Sequence, residues 1–209
     1  MAIKLQSSFD TSTGWTSAAT AGTVTFGVTV SGKTGVEIDR TGAANFDNLG
    51  FYAATPVTGA AGDVITWDYY VAGGAVDFFI GFRRTSGLDY TTTAGIYHQN
   101  TNFRTWNGST AGTQFPIVSN GWHNHRATIQ VGGTIKFEWK LEADLTWTNI
   151  GTITTGSEDF SSGNMYFGCN LYDDSGNEPV IDSLLWTDSA GAGGIRPSTV
   201  RKLVGLGKF

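Results

Sequence analysis

Between Thr134 and Glu142 apolar and charged side chains alternate without a break. Ile135, Phe137, Trp139 and Leu141 point one way, and Lys136, Glu138, Lys140 and Glu142 point the other. A period of two predicts a strand with one buried and one wet face. The same reading places Ala127, Ile129 and Val131 together on a strand over His125–Val131, joined to the next strand by Gly132-Gly133. Ile65, Trp67, Tyr69 and Val71 are in phase over Val64–Val71, and Val76, Phe78, Ile80 and Phe82 over Ala75–Arg83. Gly73-Gly74 between those two runs predicts a hairpin.

Shorter or weaker runs extend the pattern along the chain. Thr23–Val30 alternates, and Gly35–Asp39, Leu49–Ala53, Gly95–Asn100 and Asn102–Trp106 follow. Trp147–Ile153, Met165–Tyr172 and Pro179–Thr187 complete the set. About eleven short strands, with turn signals every 8–12 residues and no sustained helical period, predict an all-β fold. The expected architecture is one antiparallel β-sandwich, or jelly roll, over residues 1–188.

Composition agrees with this. The chain holds 29 Gly, and aromatic residues make up 13% of it. Charged residues make up 15%, against roughly 25% in an average domain. A disordered chain would reverse those proportions. The formal net charge of −5 argues against nucleic acid as a partner. The single cysteine, Cys169, lies in an apolar run and reads as a small buried hydrophobe rather than a nucleophile. The first residues carry no apolar signal segment, and no stretch is long and apolar enough for a membrane helix. The expectation is a chain made in a host cytoplasm, without signal peptide or membrane insertion.

Charge is unevenly spread. Residues 189–194 are a Gly/Ala/Ser linker, and the tail beyond them carries Arg196, Arg201, Lys202 and Lys208 with no acidic residue. Removing those four of the 13 basic residues leaves 9 against 18 acidic ones in the first 188. A basic apolar tail after a flexible linker reads as a docking peptide. Val200, Leu203, Leu206 and Phe209 would give it apolar contact, with Val204 beside them, and the basic residues would meet an acidic surface.

Three stretches carry a family resemblance. They are Ser8-Phe9-Asp10 with Gly14-Trp15, then Gly121-Trp122-His123 leading to Gly132-Gly133-Thr134-Ile135-Lys136-Phe137, and Val180-Ile181-Asp182-Ser183-Leu184-Leu185-Trp186. In this order they resemble the opening strand, central hairpin and closing strand of concanavalin A-like or laminin G-like jelly rolls, over residues 8–187. The resemblance implies a sandwich of the kind found in carbohydrate-binding modules, sugar hydrolases and phage virion proteins. With the tail, it leads to a first expectation of a non-enzymatic virion protein, either capsid decoration or a tail or fibre component. Its partners would be other virion proteins and copies of itself. The alternatives are a carbohydrate-binding module that meets surface glycans, and a degenerate laminarinase-type hydrolase.

Candidate chemistry is sparse. Sugar hydrolases that share the resemblance use an E-x-D-x-x-E strand. Glu37-Ile38-Asp39 supplies its first two carboxylates, but Gly42 stands in place of the third. Retaining hydrolysis needs a carboxyl pair, so no catalytic residue is assigned, and Glu37 and Asp39 read as surface groups on an edge strand. His123 and His125 have the spacing that puts both rings on one strand face, as metal sites use, but such sites need further ligands and His98 is the only other histidine, so the pair reads as a loop entering a strand. Asn170, Asp173 and Asp174, with Asn177 and Glu178, form an oxygen-rich run that could bind calcium or be an ordinary turn. No other cofactor is expected. Asn107-Gly108-Ser109 reads as a turn rather than a glycosylation site. For a glycan, the candidate contacts are Tyr97, His98, Asn102, Arg104 and Trp106, with Tyr70, Tyr166 and Tyr172 as further exposed rings. Aromatic faces stack on the C–H face of a sugar, and amide and guanidinium groups bond its hydroxyls.

Overall fold

The structure is a computed structural model. It describes residues 2–17, 19, 21–39, 49–55, 57–71, 77–82, 94–99, 102–107, 110–116, 120–154, 166–169 and 178–188. For 77–82, 94, 99 and 166–169 only the backbone is described.

Fifteen strands are present among these residues: β1 (Ile3–Ser7), β2 (Trp15–Ser17), β3 (Thr23–Val30), β4 (Lys33–Asp39), β5 (Leu49–Ala53), β6 (Val64–Val71), β7 (Asp77–Phe82), β8 (Ala94–Gln99), β9 (Asn102–Trp106), β10 (Phe115–Pro116), β11 (Gly121–Ile129), β12 (Thr134–Leu141), β13 (Thr148–Thr154), β14 (Tyr166–Cys169) and β15 (Val180–Thr187). Their pairings are antiparallel. One eight-stranded sheet runs β13-β12-β11-β6-β15-β4-β3, with β1 paired to β15. A four-stranded sheet runs β10-β9-β8-β7 and a three-stranded one runs β14-β5-β2. Strand β14 lies beside β7, which aligns the two smaller sheets as a second layer. The fold is an all-β antiparallel sandwich, as the alternation predicts.

The core lies between the layers. The large sheet gives it Ile65, Trp67, Tyr69, Val71, Ala127, Ile135, Phe137, Ile181 and Trp186, and the smaller sheets give Leu49, Phe51, Ile96 and Phe103. Alternation in β6 and β12 therefore marks the inward face correctly. Phe9, Trp15, Phe26 and Phe51 meet as a ring cluster at one end, with centroids 5.0 to 6.4 Å apart. Edge-to-face contacts of this kind add about 1 kcal/mol each beyond area burial.

Several expectations are corrected. The predicted hairpin of Val64–Val71 with Ala75–Arg83 does not form, because β6 pairs with β11 and β15 while β7 pairs with β8. The two strands lie in different layers. A period of two cannot tell a hairpin from a crossing between layers. The opening strand is Ile3–Ser7, ahead of the Ser8-Phe9-Asp10 motif, while Phe9 is a core residue with φ 53°. Strand β11 begins at Gly121 and ends at Ile129, so Val131 falls in the turn and is 87% exposed. Strand β4 pairs with both β3 and β15, so Glu37 and Asp39 do not lie on an edge strand.

The hairpin of β3 and β4 has an unusual course. Ser31 and Gly32 both have left-handed φ, at 48° and 83°, which builds a two-residue turn matched to strand twist. Strand β4 pairs with β15 only at Val36 and Glu37. The tip then reaches over the outer face of the large sheet. There Trp122 Nε1–H donates to Val30 O at 3.1 Å, and Lys33 Nζ bonds Asp68 Oδ2 at 2.8 Å and Glu142 Oε1 at 2.9 Å. Asn124 Nδ2 donates to the other oxygen of Asp68 at 2.6 Å. Burial pushes the Lys33 ammonium down, but Asp68 and Glu142 outweigh it and hold it above the usual lysine range.

Candidate functional site

Strands β8 and β9 pair with Tyr97 opposite Arg104, His98 opposite Phe103, and Gln99 opposite Asn102. Successive side chains alternate across a sheet, so this register sorts the pair into two faces. Ile96, His98, Phe103 and Thr105 turn inward and are buried. Tyr97, Asn102, Arg104 and Trp106 turn outward and are half-buried.

Three of the outward four meet, and Asn102 lies further along the same face. The Arg104 guanidinium carbon lies 5.0 Å from the centroid of the Tyr97 ring. Tyr97 and Trp106 have centroids 6.4 Å apart, tilted by 56°. The result is a platform of two rings with a guanidinium over one of them and a carboxamide at the far end. Directly beyond Trp106 the chain turns back. Thr110 N–H donates to Asn107 Oδ1 at 2.8 Å, Ala111 bridges Trp106, and Gly112 N–H donates to Thr105 O at 2.8 Å. This is the side-chain-capped turn expected at Asn107, and it fixes the end of the strand that carries Trp106.

His98 is the exception among the five predicted glycan contacts. It is 2% exposed, and its Nδ1 shares a 2.9 Å hydrogen bond with the Tyr69 hydroxyl. The cause is parity: His98 adjoins Tyr97 in β8 and therefore takes the opposite face. It belongs to a cluster that holds all three histidines of the chain, with His123 and His125 both fully buried. Phe103 touches all three, at centroid distances of 5.2 Å to His98, 5.9 Å to His123 and 5.1 Å to His125. His125 stacks on Trp67, and His123 on Trp139. Burial first, then the neighbouring His123 and His98, holds the His125 imidazole well below the usual histidine range. Its two ring nitrogens find no hydrogen-bond partner among the described residues.

The metal candidates fare differently. His123 and His125 do share a face, but that face is the core, which corrects the loop expected at this position. Their rings lie nearly parallel with centroids 6.3 Å apart. Among the described residues no group of three or more His, Cys, Asp or Glu side chains is arranged to hold a metal ion. Asn170, Asp173 and Asp174 lie outside the described residues, as does the whole tail with Arg196, Val200, Arg201, Lys202, Leu203, Leu206, Lys208 and Phe209. Tyr172 is outside them too, and of Tyr166 and Cys169 only the backbone in β14 is described. Tyr70 sits on the outer face of the large sheet, edge-on to Trp122 at 5.3 Å. Glu37 and Asp39 lie on that same sheet, the opposite layer from the platform. Burial, then the Asp39 carboxylate, raises the Glu37 carboxyl above its usual range.

A scan of the sequence against protein-family models finds no match, and a search of curated proteins finds none either. Solved structures do match in shape. Lectin II from Ulex europaeus superposes with a TM-score of 0.61 at 11% identity, covering 89% of this chain and 99% of that one. The lectin from Bauhinia forficata in complex with GalNAc gives 0.57 at 8% identity, covering 90% and 100%. The catalytic domain of a GH131 beta-glucanase from Podospora anserina gives 0.51 at 14% identity, covering 79% and 74%. These likenesses show that the chain shares the jelly-roll β-sandwich fold of those proteins. At such low identity they speak for the fold alone. The virion role expected from the sequence finds no support among them.

Proposed function

We propose that this protein is a carbohydrate-binding β-sandwich whose site is the outer face of the β8–β9 pair. The observation that carries the reading is the placement of Tyr97, Asn102, Arg104 and Trp106 on one half-buried strand face. Two tilted rings offer an apolar surface to the C–H face of a pyranose. Asn102 and Arg104 offer donors to its hydroxyls, and Asn102 also offers an acceptor. Paired strands on a packed core hold these groups in place, so little ordering cost falls on binding. The shared fold with two lectins is in keeping with this reading.

The test is a panel of neutral and charged oligosaccharides measured by calorimetry against the wild-type protein and the Trp106→Ala and Tyr97→Ala variants. At least one glycan class binds, and each variant weakens it at least tenfold, about 1.4 kcal/mol. Absence of binding across the panel, or binding that neither variant alters, overturns the reading.

A further inference from the structure

Arg104 is the single charged side chain in β8, β9 and β10. Its guanidinium is held against the Tyr97 ring, yet among the described residues it forms no ion pair. Its Nε–H is buried and bonds to nothing there. The other cations of the sandwich whose placement is described are engaged: Lys4 with Asp63, Lys33 with Asp68 and Glu142, and Arg126 and Lys136 with Glu138. Lys140 lies over Trp147 and bonds Asp144 O. Arg104 alone among them meets no acceptor. A planar donor fork, placed over a ring and lacking an acceptor among the described residues, suits the two oxygens of a carboxylate or sulfate.

Position sharpens the point. Tyr97 and Trp106 set a ring-stacking distance along β8 and β9, and Arg104 lies between Asn102 and Trp106 on the same face. A sugar seated on the rings therefore brings its substituents to the guanidinium. Among the described residues of this sheet, the acidic one nearest in register is Asp77 of β7, opposite Gln99, at the end of β8 away from Trp106.

We infer that the ligand of this site is an anionic saccharide, a uronate or a sulfated sugar, with Arg104 as the residue that reads its charge. The inference rests on the glycan-binding reading above and adds the substrate class to it. Specificity then comes from the guanidinium and affinity from the rings. A neutral hydroxyl can accept from the guanidinium, but a carboxylate or sulfate oxygen makes a charge-assisted bond roughly twice as strong, and that difference sets the preference. The net charge of −5 works against this at long range, but that repulsion is screened within about 8 Å at physiological salt.

The experiment uses the full chain and three probes: an oligogalacturonate, the same oligosaccharide as its methyl ester, and a sulfated oligosaccharide. The proteins are wild type, Arg104→Gln, Arg104→Lys and Trp106→Ala, each first checked for an unchanged melting profile. The expected result is that the free acid or the sulfated sugar binds at least tenfold more tightly than the ester at low salt. That preference shrinks as NaCl is raised. Arg104→Gln erases it while weak binding to the ester persists, and Arg104→Lys restores part of it. Equal binding of acid and ester, or a preference that survives Arg104→Gln, overturns the inference while the platform stands. Binding of neither kind of sugar overturns both. Acid binding that Trp106→Ala leaves untouched shows an anion site without a sugar platform, which sinks the glycan reading.

Discussion

Acid should weaken this fold through His125, by an amount that follows from its burial. The imidazole is fully enclosed, stacked on Trp67 and edge-on to Tyr69 and Phe103. The titratable groups that face it from the packed strands are His123, His98 and Tyr69, and none of them offers a negative charge near neutrality. Its pKa in the folded state is lowered well below 6.5, while an unfolded histidine titrates near 6.5. Below that pH the unfolded chain takes up a proton that the folded chain refuses. Unfolding then becomes easier as pH falls. If the folded imidazole stays neutral down to pH 5.5, moving from pH 7.5 to 5.5 costs about 1.4 kcal/mol at this residue. Urea unfolding followed by tryptophan fluorescence measures it directly, since the chain has seven Trp. His125→Phe keeps an aromatic ring against Trp67 without the titration. Wild type should lose about 1.4 kcal/mol more than this variant over the same window. Equal losses in the two proteins, or no loss in wild type, would refute the argument.

Three further outcomes follow from packing. Phe103 is completely buried against three histidines and Trp139, so Phe103→Ala should cost about 3–5 kcal/mol in denaturant unfolding. Lys33→Met should cost about 3 kcal/mol or more, because it strips the buried Asp68 of its cation. Adding Asp68→Asn to that variant should recover part of the loss in the same assay. A Cβ on Gly35 would run into the Ile181 carbonyl oxygen, so Gly35→Ala should lower the melting temperature, whereas alanine at the exposed Leu145 should leave it within a degree or two.

Much of the fold was legible in the sequence because its inward faces are spelled out by strict alternation. Ile65, Trp67 and Tyr69 on β6, and Ile135, Phe137 and Trp139 on β12, are all buried where the pattern places them. Which strand pairs with which was not legible, since β6 and β7 show the same phase yet belong to different layers. The strand start at Gly121 was hidden because Trp122, His123, Asn124 and His125 are buried on both faces, which removes the alternation. Four of the five candidate glycan contacts do share a face. His98 adjoins Tyr97 in β8, so the alternation of the strand already puts it on the opposite face. The gathering of three histidines was not legible in the sequence, because His98 meets His123 and His125 only when the two layers close. Nor was the reach of Lys33 over Trp122 and Asp68, which depends on where the tip of the β3–β4 hairpin folds.

The pairing of β1 with β15 has a consequence for how this sandwich can be joined to other chains. Ile3 lies opposite Thr187, and Asp188 N–H donates to Ala2 O at 3.1 Å. Entry to and exit from the sandwich are therefore side by side on one sheet. A module with such neighbouring ends can be spliced into a surface loop of a host protein without prising the host apart, and its own ends can be fused and reopened elsewhere. New ends cut at the exposed Val131–Gly133 turn, with a short Gly/Ser bridge between Ala2 and Asp188, would leave the β8–β9 face intact and pointing away from the fusion.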